Sequence, residues 1–327
     1  MTPVLRAEEW LDVLDAHYLG DFLPQGGAAV KFAVCLDGGE APAVGRRIAE
    51  RAQRSGFVTA AVSAETVRIQ LIEKLFGAIA DQVPWSELST KILCDFARDH
   101  HWQVPERIDS ERGLVEQLDA CNHLGVEQIS LVLQQDCGRR ILGDHSLAKD
   151  FRVAMTWLAR GRLRSGLSGD AAHQQITDWL GGRVSAIRNL RNYQIYTKIS
   201  RANARHLFGS LCAWIRVAGG PGLVVTIDAS RLLSTVRSEI RSQNYTIAAV
   251  LDAYEVFRQF IDATDDFEGF LLAVLVPREF LDLDIRGRGV ARYPALMGRV
   301  YDEVRDRHVA NPYGGLIRLG SQQEAAA

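Results

Sequence analysis

The chain lacks the marks of several protein classes, and each absence removes one. Only five of its 327 residues are cysteine, an odd number with no C-x-x-C pair, which excludes a disulfide framework. Cys121, His123, Cys137 and His145 follow no common zinc spacing. They read as scattered structural residues, and no metal is expected. No apolar run reaches the roughly 20 residues that span a bilayer. The start, MTPVLRAEEWLDVLDAHYLG, carries acids inside its apolar pattern and has no basic opening or small-residue cleavage site, so no secretory leader is read there. Cytoplasmic residence without a membrane partner is the expectation. Strand signals are also scarce in one place, because between Ser63 and about Gly220 only helical periodicity is found.

What is present is an ordinary globular composition, 47% hydrophobic and 24% charged, long enough for about two domains. The net charge of −2 conceals an asymmetry: Arg139 to Arg216 holds 14 Lys/Arg against 4 Asp/Glu, a local +10 that leaves −12 elsewhere. A separation of that size points to an acidic partner, nucleic acid or an acidic subunit face, or to a solvated face paired with the chain's own acidic flanks.

Val30 to Cys35 is an apolar, β-branched run suited to a strand buried on both faces. A Gly-containing turn and a helix follow, the order of a phosphate-binding loop, where backbone N–H groups cradle phosphate, a lysine holds the outer phosphates and a Ser/Thr hydroxyl holds magnesium. The residues depart from that pattern. Taking Gly45 as the second glycine puts Glu40 at the first, Arg46 at the lysine and Arg47 at the Ser/Thr; taking Gly39 leaves the glycines one residue too far apart. A carboxylate there repels phosphate, so a P-loop form without its nucleotide chemistry is predicted, with Gly39, Gly45, Arg46, Arg47 and Asp228 as the degenerate nucleotide-binding positions. Asp228 closes the strand LVVTID, where ATPases of this type hold magnesium through an aspartate. Ala229 and Ser230 follow it, so the usual catalytic glutamate is missing. A lone strand-terminal aspartate equally forms a turn or caps a helix.

The spacing predicts a helix up to about Phe22, strands near 30–35, 57–62, 223–228, 270–276 and 315–319, and a helix from Pro294 to about Arg307. The domain reading is an α/β core split between residues 1–63 and 221–320, a helical insertion over 64–220 and a disordered tail over 321–327. The insertion's breaks are placed at Val83-Pro84, Val104-Pro105, Gly161–Gly169 and Gly181-Gly182. Its basic end, NLRNYQIYTKISRANAR, interleaves Tyr193 and Tyr196 with Arg188, Arg191, Lys198, Arg201 and Arg205. Aromatics among cations stack on bases while the charges follow phosphates. Helical spacing favours tyrosines facing a core with the cations outside.

Taken together, five strands separated by helices resemble an AAA+-like α/β core with a parallel sheet of about five strands and a long helical insertion between the second and third. The segments LRAEEWLD, GGAAVKF, ITDWLGG, SRANARHLFGSLCAWIRVAGGPGLVVTID, AAVLDAYEVFRQFIDATDDFEGFLLAVLVPREFL and RYPALMGRVYDEVRDR resemble the P-loop ATP-binding proteins of BREX-type bacteriophage-exclusion systems. The resemblance implies a role in antiviral defence and an oligomer, or a complex with an active ATPase paralogue and other defence proteins. It also implies that the helical lid of AAA+ enzymes is missing after the last strand. In that architecture the helix between the fourth and fifth strands carries an arginine finger for a neighbouring subunit, which makes Arg299 and Arg292 the candidate trans arginines. The reading is a catalytically degenerate structural or regulatory subunit with no cofactor of its own. One alternative is an active ATPase taking ATP and magnesium, with Arg46 or Arg47 in place of lysine. The other is a DNA-binding module using the basic insertion.

Overall fold

A computed structural model of the chain describes residues 3–37, 40–110, 112–164, 167–184, 186–234, 243–282, 287–301 and 309–320. The chain divides into two compact units, Met1–Gln82 with Pro221–Ala327, and Val83–Gly220.

In the first unit α1 (Ala7–Val13) continues into a wider π-helical stretch, Leu14–Phe22, and then β1 (Ala28–Cys35), α2 (Ala41–Arg54), β2 (Val58–Ser63) and α3 (Ile72–Ala80) follow. The α3 helix belongs with the sheet: Gln82, just after it, donates to and accepts from the backbone of Ala61 in β2.

The second unit is helical, with α4 (Trp85–Asp99), α5 (Leu114–Asn122), α6 (Val126–Asp136), a π turn at Cys137–Ile141, α7 (Lys149–Leu163), α8 (Leu167–Leu180), a 3-10 stretch at Ile187–Tyr193 and α9 (Ala204–Val217). Its core gathers Trp85, Phe151, Trp179, Phe208 and Trp214. The glycine-rich Gly161–Gly169 stretch is a tighter break than its composition suggests, since α7 runs to Leu163 and α8 begins at Leu167.

The chain returns to the first unit with β3 (Leu223–Asp228), the short α10 (Ser230–Leu233), α11 (Ile247–Asp262), β4 (Phe270–Pro277), α12 (Pro294–Val300) and β5 (Leu316–Leu319). The rest of the predicted helix, 302–308, and the tail, 321–327, lie outside the described residues.

The five strands form one parallel sheet in the order β2-β3-β4-β1-β5, so the protein is α/β with a P-loop-like core and a helical insertion between the second and third strands. Strands covered on both faces need apolar residues at every position. FLLAVLV in β4 meets this requirement and LVVTI in β3 meets it except at Thr226, each residue being buried. On one face Ala33, Cys35, Val224, Leu271, Ala273 and Leu275 pack with Trp10, Leu11, Leu14, Val44 and Ile48. On the other, Phe32 stacks on Phe280 and meets Phe257 edge-on.

Two glycines set close approaches. A Cβ at Gly45, inside α2, would lie 2.8 Å from Leu275 Cδ1, so the glycine lets α2 seat on the sheet. Gly222 has φ +147°, and a Cβ there would meet the Gly269 carbonyl oxygen at 1.9 Å. No helix among the described residues is long and apolar enough to cross a membrane.

Candidate functional site

In an open parallel sheet, ligands bind beyond the carboxyl ends of the strands where successive connections leave in opposite directions. β1 leaves toward β2 at one edge and β4 leaves toward β5 on the far side, so this place is the C-terminal end of the adjacent β1 and β4. Cys35 ends β1 there. Burial first, and then the charges of Glu40, Asp228 and Asp37, together push its thiol up to about 12. Three carboxylates thus lie close enough to the end of β1 to act on it.

The loop from β1 to α2 is short. Glu40 is the N-cap of α2 and Pro42 stands in the first turn, so a carboxylate already sits at the positive end of the helix dipole and one first-turn N–H is absent. Gly39 lies outside the described residues. Gly45 is in the second turn of α2, packed on the sheet, and Arg46 follows on the exposed side. Arg47 is half-buried and paired with Glu8 of α1. Arg51, one turn further, reaches Glu8, Asp12 and Asp15 at 2.8, 2.8 and 2.6 Å. Asp228 Oδ1 accepts the N–H of Ser230 at 3.0 Å, the turn-forming use of a strand-terminal aspartate.

A lysine is present inside β1, but Lys31 Nζ donates to the carbonyls of Tyr313 and Gly314 at 2.5 and 3.1 Å and lies over the Tyr18 ring. It ties β1 to the turn before β5. No group of three or more His, Cys, Asp or Glu placed to hold a metal ion occurs among the described residues.

The two candidate trans arginines differ. Arg299 on α12 forks onto Asp262 at the end of α11, with Nη2 at 3.1 Å and Nε closer, and its Nη1 donates to the Ala295 carbonyl at 2.7 Å. Arg292 ends a 3-10 turn, is exposed, and its side chain has no hydrogen bond or ion pair among the described residues. Beside them, Glu255 receives Arg258, Tyr293 and Gln259, and the Arg258 hydrogen bond leads in holding its carboxyl down to about 2.

In the helical unit the basic stretch departs from the helical expectation. The 3-10 turn ends with Gln194 in the left-handed region, φ 60°, and the chain runs irregularly to Asn203 before α9. Leu190 and Ile195, five residues apart, are the positions fully buried, a spacing that a continuous α-helix face does not provide. Two indoles pin the segment: Trp157 Nε1 donates to the Tyr193 carbonyl at 3.1 Å and Trp179 Nε1 to that of Thr197 at 2.9 Å. Tyr193 packs edge-on against Trp157, whereas Tyr196 is 57% exposed. The favoured reading of both tyrosines as core residues is corrected for Tyr196.

Arg188, Arg191, Lys198, Arg201 and Arg205 are all exposed. The four arginine side chains have no hydrogen bond or ion pair among the described residues. Thr197, Asn203 and His206 line a groove of about 590 Å³ together with His145, Lys149 and Arg152. Lys149 and Arg152 lie too far off in sequence for local spacing to have associated them with the basic stretch. Likewise, nothing at the motif level marks Asp37 and Glu40 as a rim shared with Asp228.

A family model described as BREX system ATP-binding protein BrxC/D matches residues 113–326. No curated protein and no solved structure matches the chain.

Proposed function

The chain belongs to the BREX system ATP-binding protein BrxC/D family, and from that premise we propose that it is a structural or regulatory subunit whose core keeps the P-loop form without hydrolytic chemistry. The family implies a role in antiphage defence. The observation carrying the proposal is the negative charge that Glu40, Asp228 and Asp37 bring to the end of β1, where all three act on the Cys35 thiol. Phosphate entering there meets negative charge where a cradle presents N–H groups and a lysine.

The cations that would compensate are engaged or turned away. Arg47 is bound to Glu8, and Arg46 points from the exposed side of α2. Asp228 keeps its carboxylate on the Ser230 N–H and has no acidic neighbour in sequence to polarise water. Purified full-length protein, followed by phosphate release, should show no ATP turnover above a buffer blank. Turnover that Asp228→Asn abolishes would overturn the proposal and establish the active-ATPase reading.

A subunit that cannot hydrolyse ATP still serves a neighbour that can. Arg292 is the arginine we assign to that task, because Arg299 is held by Asp262 and Arg292 is not. Mixed with an active ATPase paralogue, the Arg292→Ala variant should lower turnover by about a hundredfold or more, given that fingers contribute about 10³–10⁵ in rate. Arg299→Ala should leave turnover within a few-fold. Equal turnover with both variants, complex formation intact, would reduce the subunit to a scaffold.

A further inference from the structure

We propose that the basic face of the helical unit binds single-stranded nucleic acid, the arginines meeting phosphates and Tyr196 stacking on a base. The first support is where this unit leaves its cations unpaired. Elsewhere in the unit Arg139 pairs with Asp136, Arg140 with Asp99 and Arg164 with Glu127, although the exposed Arg107 and Arg112 have no such pair among the described residues. Along Arg188, Arg191, Arg201 and Arg205, and at Lys149, the exposed side chains have no such partner among the described residues. Concentrated cations repel one another, and a polyanion relieves that repulsion while releasing its own counterions.

The second support is shape. The groove of about 590 Å³ is lined by His145, Lys149, Arg152, Thr197, Asn203 and His206, a polar set continuous in sequence with Lys198 and Arg201, in which Asn203 donates to the Lys198 carbonyl at 3.0 Å and Lys149 supplies an exposed charge. Its one acid, Asp150, is occupied by the N–H of Thr197 at 3.3 Å and by the Thr197 hydroxyl. Arg152 donates to Nδ1 of His145 at 2.7 Å, which makes that nitrogen the acceptor and leaves Nε2–H as a neutral donor.

The third is Tyr196. Its ring is exposed next to the groove-lining Thr197, and the Trp157 and Trp179 indoles fix the backbone on either side of it. A ring held this way stacks with little further loss of conformational entropy. Only an unpaired base offers a free face to it, which selects a single strand over a duplex. An acidic protein partner fits less well, because protein interfaces are built around an apolar core. The unit's other exposed large hydrophobics, Leu124, Leu131, Leu142 and Val217, do not line the groove.

The test uses the full-length chain and fluorescence anisotropy with labelled oligothymidine, oligouridine and a mixed-sequence duplex of equal length. Single strands should bind, with log affinity falling against log salt by about 0.7 per phosphate neutralised. Arg201→Glu with Arg205→Glu should weaken binding tenfold or more. Tyr196→Ala should cost roughly tenfold for single strands while leaving the salt slope unchanged. Comparison of oligothymidine with oligouridine identifies which sugar is preferred, and binding of either supports the proposal. If the Glu variants lose their helical circular dichroism, Arg201→Gln with Arg205→Gln replaces them. Salt-insensitive binding, duplex binding equal to single-strand binding and indifferent to Tyr196→Ala, polyglutamate competing as well as oligonucleotide, or no binding would each overturn it. The surface lies wholly within the helical unit, so its outcome is independent of the ATP turnover result.

Discussion

The two candidate sites use their neighbouring arginines in different ways. In the α/β unit the cations near the candidate phosphate edge are drawn into the fold: Arg47 and Arg51 bind the acids of α1 and the π stretch after it, and Arg288 donates to the carbonyls of Leu232 and Tyr245 at 2.7 Å each. The charges that act on the end of β1 are carboxylates. In the helical unit the arginines between Arg188 and Arg205 face solvent, and only the backbone beneath them is fixed. A charge satisfied inside a fold contributes to stability and is withdrawn from ligands, while one left unpaired weakly opposes folding and remains available. The difference supports the proposed division, with ligand binding in the helical unit and scaffold in the core, the reverse of what P-loop architecture alone suggests.

The hardest blow to the core should come from Gly222→Ala. A Cβ there collides with the Gly269 carbonyl oxygen, and backbone atoms cannot step aside as a side chain can. A loss of about 3 kcal/mol or more is expected, read as earlier thermal unfolding and faster hydrogen exchange in β2, β3 and β4. An unchanged melting curve would mean that Gly222 and Gly269 do not approach at the start of β3 and β4 as described.

Next in size is Arg51→Ala, which strips three carboxylates of their shared partner. Roughly 1 kcal/mol should be lost in urea unfolding, consistent with a partly screened network. Arg191→Ala and Arg205→Ala should stay within about 0.5 kcal/mol, as unpaired surface residues do. Equal losses at all three positions would erase the contrast between spent and available charge.

The acid response is read from a slope and not from a single loss. Glu255 titrates near 2 in the folded protein against an ordinary value of 4.5. Because the folded value is the lower, its stabilising contribution is complete above about pH 4.5 and is lost as pH falls toward 2. Glu255→Gln should flatten the stability curve in that window and leave it unchanged at pH 7 to 8 in slope; the same slope in both proteins between pH 4.5 and 2 would show that the Arg258 and Tyr293 contacts do not form. Arg46→Ala should have the least effect, with nucleotide affinity unchanged within about twofold by titration of a fluorescent analogue. A tenfold loss would restore that arginine to the phosphate.

Much of the core was legible because buried parallel strands advertise themselves as unbroken apolar runs: FLLAVLV and LVVTID carry no other pattern. The helical character of the middle was legible from the lack of strand signals between Ser63 and about Gly220, although its first helix, α3, belongs with the sheet. The basic stretch misled, since tyrosines three apart look helical until Trp157 and Trp179 take the carbonyls of Tyr193 and Thr197. Those indoles lie in α7 and α8, outside any local window. Gly45 misled in another way: it resembles a loop glycine, yet its use is to let α2 approach Leu275.

By itself the sequence determined the α/β class, the helical insertion, the local +10 and the absence of the lysine, hydroxyl and glutamate of an active phosphate site. Each is a property of residue identity or of short-range periodicity, which neighbouring residues on the chain settle. Only tertiary structure decided that Asp228 comes close enough to the end of β1 to act on Cys35 beside Asp37 and Glu40, that Arg299 is held by Asp262, and that Lys149 and Arg152 line one groove with Thr197, Asn203 and His206. These depend on which strands lie side by side and which side chains are desolvated together, and such pairings are set by packing between elements distant along the chain.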